Sequence, residues 1–223
     1  MSTSKQKAIL SKLINVSREG ISECARCCTC CAKGGPALHK EDRELYKNGS
    51  LHGRFLFTIR KGEPAEDNVK GGLIFTDSDI IKIKSKTNSS SCLYVDLLRN
   101  SCSIYNSRPL ECGILKCWDT ADIENRYDKD RLTRQDLLGH IDGLWEIITD
   151  HQEECSYEKV RELLEQNPEE LDKDAARKIL EMIHYDATIR PMVIEKGNLD
   201  SNMLDFLFGI PMAKALKRLS LDF

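Results

Sequence analysis

Five cysteines fall within eight consecutive residues, Cys24-Ala-Arg-Cys27-Cys28-Thr-Cys30-Cys31, and four more follow at Cys92, Cys102, Cys112 and Cys117. A stretch with this many thiols and so few large apolar side chains has little to build a core from, so sulfur chemistry must help to hold it. Thiolate sulfur is a soft donor that selects zinc, copper(I) or iron–sulfur clusters, and a C-x2-C step lets one tight turn bring two sulfurs to one ion. Disulfides are the competing use. On an extended backbone neighbouring side chains point to opposite sides, so Cys27/Cys28 and Cys30/Cys31 cannot readily bond within a pair. In a reducing compartment such a pattern belongs to metal binding or catalysis.

Charge and hydropathy remove several classes of function. The 33 Lys and Arg stand against 36 Asp and Glu, giving a net charge of -3 and no basic stripe, so a nucleic-acid partner is not expected. No apolar run approaches the ~18 residues of a membrane span, and the first residues lack the apolar core of a secretory signal. A cytoplasmic protein without a membrane partner is therefore expected. Nine of the ten cysteines lie before residue 120, while the remainder is polar and helical by period. The expected organisation is a cysteine-cluster metal-binding domain with an N-terminal helix at 1–120 and a helical region at 121–223, an α+β protein with short strands in a loop-rich first half.

Along the chain, residues 4–19 carry Ala8, Ile9, Leu13 and Val16 at helical spacing. Lys40 to Lys47 reads as a short helix closed by Asn48-Gly49. Alternation at Phe55, Phe57 and Ile59, and again at Ile81 and Ile83, predicts strands, with polar turns at Lys61–Asp67, Gly71-Gly72 and Ser85–Ser91. Cys92-Leu-Tyr-Val-Asp and Cys102-Ser-Ile-Tyr bracket Leu97 to Asn100 as a hairpin that starts each arm with a cysteine. Asp96 is expected to cap that turn. In the second half, Leu132, Leu137, Leu138, Ile141, Leu144, Trp145 and Ile148 form one apolar stripe. Val160, Leu163 and Leu164 form another, and Leu171, Ala175, Ile179, Met182 and Ile183 a third after a break at Asn167-Pro168. A terminal stretch with Phe206, Leu207, Phe208, Pro211, Ala215, Leu216 and Leu219 adds one or two helices. Cys155, among acidic helical residues, reads as a free thiol, and the five histidines as surface or core residues.

Written as spacings, the signal is C-x2-C-C-x-C-C, a gap, then C-x9-C-x9-C-x4-C. It resembles the YkgJ-type cysteine-cluster family, described as zinc- or iron-chelating, over about residues 20–120. The second block, C-x-I-Y-x-x-R-P-x-x-C-x4-C, is matched by Cys102, Ile104, Tyr105, Arg108, Pro109, Cys112 and Cys117, with Cys92 ahead of it. In the first block Cys24, Cys27, Cys30 and Cys31 correspond. Cys28 stands where the family usually has glycine, and Gly113 where an arginine often follows. The resemblance implies metal chelation with Cys24, Cys27, Cys30, Cys31, Cys92, Cys102, Cys112 and Cys117 as candidate ligands. Eight thiolates fill two four-cysteine sites: two zincs, a zinc beside an iron–sulfur cluster, or one cluster with spare thiols. Divergence of adjacent side chains predicts that Cys30 and Cys31 serve different centres. Arg26, Lys33, Arg108 and Lys116 lie near ligands in sequence, and Arg108, fixed by Pro109, is the candidate for contacting the bound group or an anion.

Two classes of function follow. One is a metal-binding protein whose cysteine cluster holds zinc or an iron–sulfur cluster, its helical half presenting a surface to a protein partner. The other is an iron–sulfur enzyme, either redox-active or similar to protein lysine N-methylases, since flagellin lysine N-methylases contain a similar cysteine region. No H-E-x-x-H arrangement supports a hydrolytic zinc, and no glycine-rich methyl-donor loop follows a strand.

Overall fold

Two apolar runs set the frame of the first half. Leu56–Ile59 (β1) and Ile80–Ile83 (β4) pair antiparallel, with Leu56 opposite Ile83 and Ile59 opposite Ile80. The buried residues of β1 are Leu56 and Thr58, whereas Phe57 and Ile59 are half-buried. The alternation read from Phe55, Phe57 and Ile59 thus picks the less buried face, because apolar residues lie on both sides and periodicity alone does not set the parity. Thr58 is accommodated inside because its hydroxyl donates to the Phe206 carbonyl at 2.6 Å. Pro64–Glu66 (β2) and Leu73–Phe75 (β3) make a second hairpin. β2 lies within the segment expected to be a polar turn, with Pro64 and Ala65 buried. The third hairpin pairs Val95–Asp96 (β5) with Ser101–Cys102 (β6). As expected, Asp96 caps its turn: Oδ1 accepts from the backbone of Leu98 at 3.0 Å and Arg99 at 3.1 Å.

The computed structural model describes residues 23–166 and 171–219. The helix expected at 4–19 and the break at Asn167-Pro168 lie outside the described residues. Helices in the first half are short: Arg43–Lys47 (α1), preceded by a 3-10 turn at Lys40–Asp42, then Leu110–Ile114 (α2) and Ala121–Arg126 (α3). The stripe from Leu132 to Ile148 is divided into Arg134–Leu138 (α4) and Asp142–Glu154 (α5). Thr133 caps α4 reciprocally with Asp136, and the chain turns at Gly139 before α5 begins. Tyr157–Gln166 (α6), Lys173–Gly197 (α7), Leu204–Phe208 (α8) and Met212–Leu216 (α9) complete the helical half. No helix among the described residues is long and apolar enough to cross a membrane.

The main core draws on both sides of residue 120. Leu38, Leu51, Leu56, Ile81, Ile83 and Val95 pack with Leu132, Leu137, Ile148 and Phe206–Phe208. A buried guanidinium crosses the same junction: Arg134 donates from Nε and Nη2 to Asp79 at 2.7 and 3.0 Å, and from Nη1 to the Leu207 carbonyl at 2.7 Å. A smaller apolar cluster, Cys155, Tyr157, Val160, Ile179, Met212, Ala215 and Leu216, lies wholly in the helical half. The α+β architecture with a helical C-terminal half is as the sequence implied.

Candidate metal centre

The two cysteine blocks, 60 residues apart in sequence, meet in space. The backbone amide of Cys92 donates to the Cys31 carbonyl at 2.8 Å, and Ser90 Oγ donates to the Ala32 carbonyl at 2.8 Å, so the start of the second block is laid against the end of the first. The hairpin places Cys102 opposite Val95. Side-chain interactions then cross between blocks: the Cys28 thiol is crowded by those of Cys24, Cys27, Cys30 and Cys102, the Cys31 thiol by Cys30, Cys112 and Cys28, and the Cys112 thiol by Cys92, Cys102 and Cys30. All ten cysteines are free thiols. Cys117 is exposed beyond α2.

Polar side chains around Cys112 fix that helix in place. Asp42 accepts from the Leu110 amide at 2.8 Å through Oδ1 and from the His39 amide at 2.9 Å through Oδ2. Glu111 accepts from the Ala37 amide at 2.7 Å, and its other oxygen lies 3.2 Å from His39 Nε2. His39 Nδ1 is 2.8 Å from the Lys129 carbonyl. Both ring nitrogens therefore face acceptors, which calls for the doubly protonated ring. Burial opposes that charge, but the Glu111 and Lys129 contacts outweigh it and leave the His39 pKa raised.

The thiols perturb one another in the way expected of a shared centre. Cys112 is pushed up to about 12, first by burial and then by the Cys92 and Cys102 sulfurs. Cys30 is held down to about 6, chiefly because the Cys31 thiol donates to it, and Cys31 is raised in return. This direct Cys30–Cys31 contact corrects the expectation that the two side chains diverge. Cys30 has φ -70° and ψ -40° and leads into a 3-10 turn at Cys31–Lys33, so the backbone here is helical rather than extended and neighbouring side chains are no longer opposed. Sulfurs packed so closely cannot all ionise against one another, and a cation among them removes that conflict. Soft donors at this density fit zinc or iron and fit no hard, oxygen-seeking ion. Of the nearby basic residues, Arg26 and Arg108 each set a guanidinium 4.2 Å from the centre of the Tyr105 ring. Lys33 favours the Cys30 thiolate, whereas Lys116 is engaged by Asp122. Gly113 has open space where a side chain would go, so nothing around it demands glycine.

A second grouping, not anticipated from the sequence, lies in the helical half. His151, Cys155 and Asp186 hold possible ligand atoms within 4.8 Å of one another, all buried. Its only signal in the sequence was the i, i+4 spacing of His151 and Cys155 on one helix. These donors are already committed. Asp186 Oδ1 accepts from His151 Nε2 at 2.8 Å and from Arg190 Nε and Nη2 at 3.0 and 2.8 Å, while Oδ2 accepts from the Met212 amide at 2.8 Å. The Cys155 thiol donates to the Met182 carbonyl at 3.4 Å. Arg60, fully buried, stacks 4.5 Å from the Tyr157 ring centre and donates to the Cys155 carbonyl at 3.1 Å. A dication here would face two buried guanidiniums and displace an ion pair. The group is an ion-pair clamp joining α5, α7 and α9, and the metal chemistry belongs to the thiols.

No curated protein and no solved structure matches the chain. A family model does match, and its signature is the spacing of Cys24, Cys27, Cys30 and Cys31. Because that model, CxxCxxCC, described as "Putative zinc- or iron-chelating domain", covers residues 23–134, half of the chain and both of the thiol blocks that the fold brings together, the protein belongs to this metal-chelating family.

Proposed function

We propose that Cys24, Cys27, Cys30, Cys31, Cys92, Cys102, Cys112 and Cys117 are the ligands with which this protein holds zinc or an iron–sulfur cluster, and that the bound metal is what closes residues 1–120 into a unit. The observation that carries this is the crossing of thiol contacts between the two blocks, Cys28 with Cys102 and Cys30 with Cys112. The strands around those thiols are only two to four residues long, and the hairpin bearing Cys102 pairs two residues on each side. Elements that short are not independently stable. Thiolate–metal bonds supply the missing cross-links, and their binding free energy is folding free energy. In this arrangement Arg108, with Arg26 on the same tyrosine ring, offsets the formal charge of about -2 that four thiolates leave on a divalent ion. Residues 121–223 form the buttress, and Leu180 and Met192, exposed on α7, mark a face for a protein partner.

Anaerobic purification followed by elemental analysis and a visible spectrum tests this reading. Stoichiometric zinc in a colourless protein supports a structural chelating module. Iron with acid-labile sulfide and a bleachable chromophore moves the reading to an iron–sulfur centre with a redox or enzymatic role. A protein that folds and remains stable with neither metal overturns it.

A further inference from the structure

The family signature leaves position 28 open, yet of the five cysteines in the first block Cys28 is the one that is buried, 7% exposed, while Cys24 and Cys27 are exposed and Cys30 and Cys31 intermediate. Its backbone has φ +57°, a left-handed conformation that glycine adopts freely and a cysteine adopts at a cost. That conformation sends the side chain inward. The thiol is crowded by the sulfurs of Cys27, Cys30, Cys102 and Cys24, three from its own block and one from the other, and it packs in the main core alongside Cys31 and Cys92. Its one printed hydrogen bond is a weak one, to the Arg26 carbonyl at 3.5 Å. An apolar filler would meet the packing at this place equally well, and glycine would relieve the backbone. A sulfur placed between the two blocks at that conformational cost has the position of a donor.

We infer that Cys28 is a further metal ligand of this chain, a thiolate donor added to the family's set at the seam between the two cysteine blocks. Its role rests on the chelation proposed above. On binding, the thiol loses its proton to solvent and the thiolate sulfur donates an electron pair to the ion, with no change of oxidation state. Nine thiolates can satisfy three tetrahedral zincs if three sulfurs bridge, or two unbridged four-sulfur sites with one sulfur in exchange, so Cys28 also bears on how many ions are held.

The test uses the full chain, metal-stripped under reducing anaerobic conditions and titrated with Co²⁺ and then Zn²⁺, in the wild type and the variants Cys28→Ala, Cys28→Gly and Cys112→Ser. Cys28→Ala and Cys28→Gly are expected to lose at least tenfold in affinity against a competing chelator, with lower sulfur-to-cobalt charge-transfer absorbance per chain. Metal-free Cys28→Gly is expected to be no less stable than metal-free wild type, because its backbone is relaxed. Should Cys28→Ala fail to fold, Cys28→Gly decides the matter. Unchanged chelator competition and absorbance in Cys28→Gly, with binding lost in Cys112→Ser, overturns the role of Cys28 alone. Unchanged binding in Cys112→Ser as well overturns the chelation reading itself.

Discussion

Two parts of this molecule gather side chains that could bind metal, and they have opposite relations to their surroundings. In the cysteine region the donors sit on turns and short strands and interact mainly with one another: Cys30 with Cys31, Cys28 with Cys102, Cys112 with Cys92. In the helical half His151, Cys155 and Asp186 sit on long helices, and Asp186 alone accepts four hydrogen bonds from protein groups. The two histidines register the same contrast. His39 faces two acceptors and its pKa is raised, whereas His151 is lowered to about 4 by burial and two guanidiniums despite its carboxylate partner. Proximity of ligand-type atoms therefore does not make a metal site. Sulfurs left to repel one another need a cation, and a carboxylate already neutralised by Arg190 does not.

The largest expected effect comes from taking the metal away. Removing it with a chelator, or replacing Cys112 with serine, should cost on the order of 10 kcal/mol of folding free energy per site lost. Amide exchange should show protection disappearing first across residues 24–36 and 92–117, with α5 and α7 retaining theirs longer. Simultaneous loss in both regions would erase the distinction drawn between them.

Next in size is the clamp. Asp186→Ala strands Arg190 and His151 in the core, so chemical denaturation should show a loss of about 3–5 kcal/mol. Metal content per folded chain should stay at the wild-type level. A drop in metal content would mean that the second grouping holds an ion after all.

Acid should separate the regions more gently. The folded pKa of His151, about 4, lies below its ordinary 6.5, so its contribution is fully present above pH 6.5 and is lost as pH falls towards 4. That interval corresponds to about 3 kcal/mol. His39 runs the other way: its raised folded pKa gives a contribution complete below pH 6.5 and lost as pH climbs through the folded value. Metal release in acid is common to wild type and His151→Gln, so urea unfolding of the pair between pH 7 and 4 isolates the His151 contribution. A variant that keeps the full acid slope would refute the assignment of a buried neutral ring.

How much of this was legible beforehand depends on whether a spacing or a long-range partner decides the outcome. The meeting of the cysteine blocks, the Cys92–Cys102 hairpin and the Asp96 turn follow from chain-local chemistry, and they were readable. The parity of β1 was not, since Phe57 and Ile59 are as apolar as Leu56 and only the neighbours decide which face is covered. The split of the Leu132–Ile148 stripe at Gly139 was hidden because both pieces keep the same apolar face against the core. Cys30 and Cys31 were misjudged by assuming extended backbone where a 3-10 turn begins. Asp186, 35 residues from His151, gave no local sign that it would be paired and buried.

The smallest expected effect tests how finely the cysteine region relies on its turns once the metal is in place. Asp96 lies between Cys92 and Cys102 and holds the hairpin turn through two backbone amides, at 3.0 and 3.1 Å. Asp96→Ala removes both acceptors at a half-buried site, where water can partly replace them, so the loss should be about 1 kcal/mol. If the turn presents Cys102 to the ion, that loss should reappear as a roughly fivefold weaker metal affinity by chelator competition, with stoichiometry unchanged. A loss of stability in the metal-free protein with unaltered affinity would mean that the metal, rather than the turn, sets the position of Cys102. The folding of this half would then follow its ligands and not its hairpins, which sharpens the contrast with the helical half, where hydrogen bonds between protein groups alone hold the clamp.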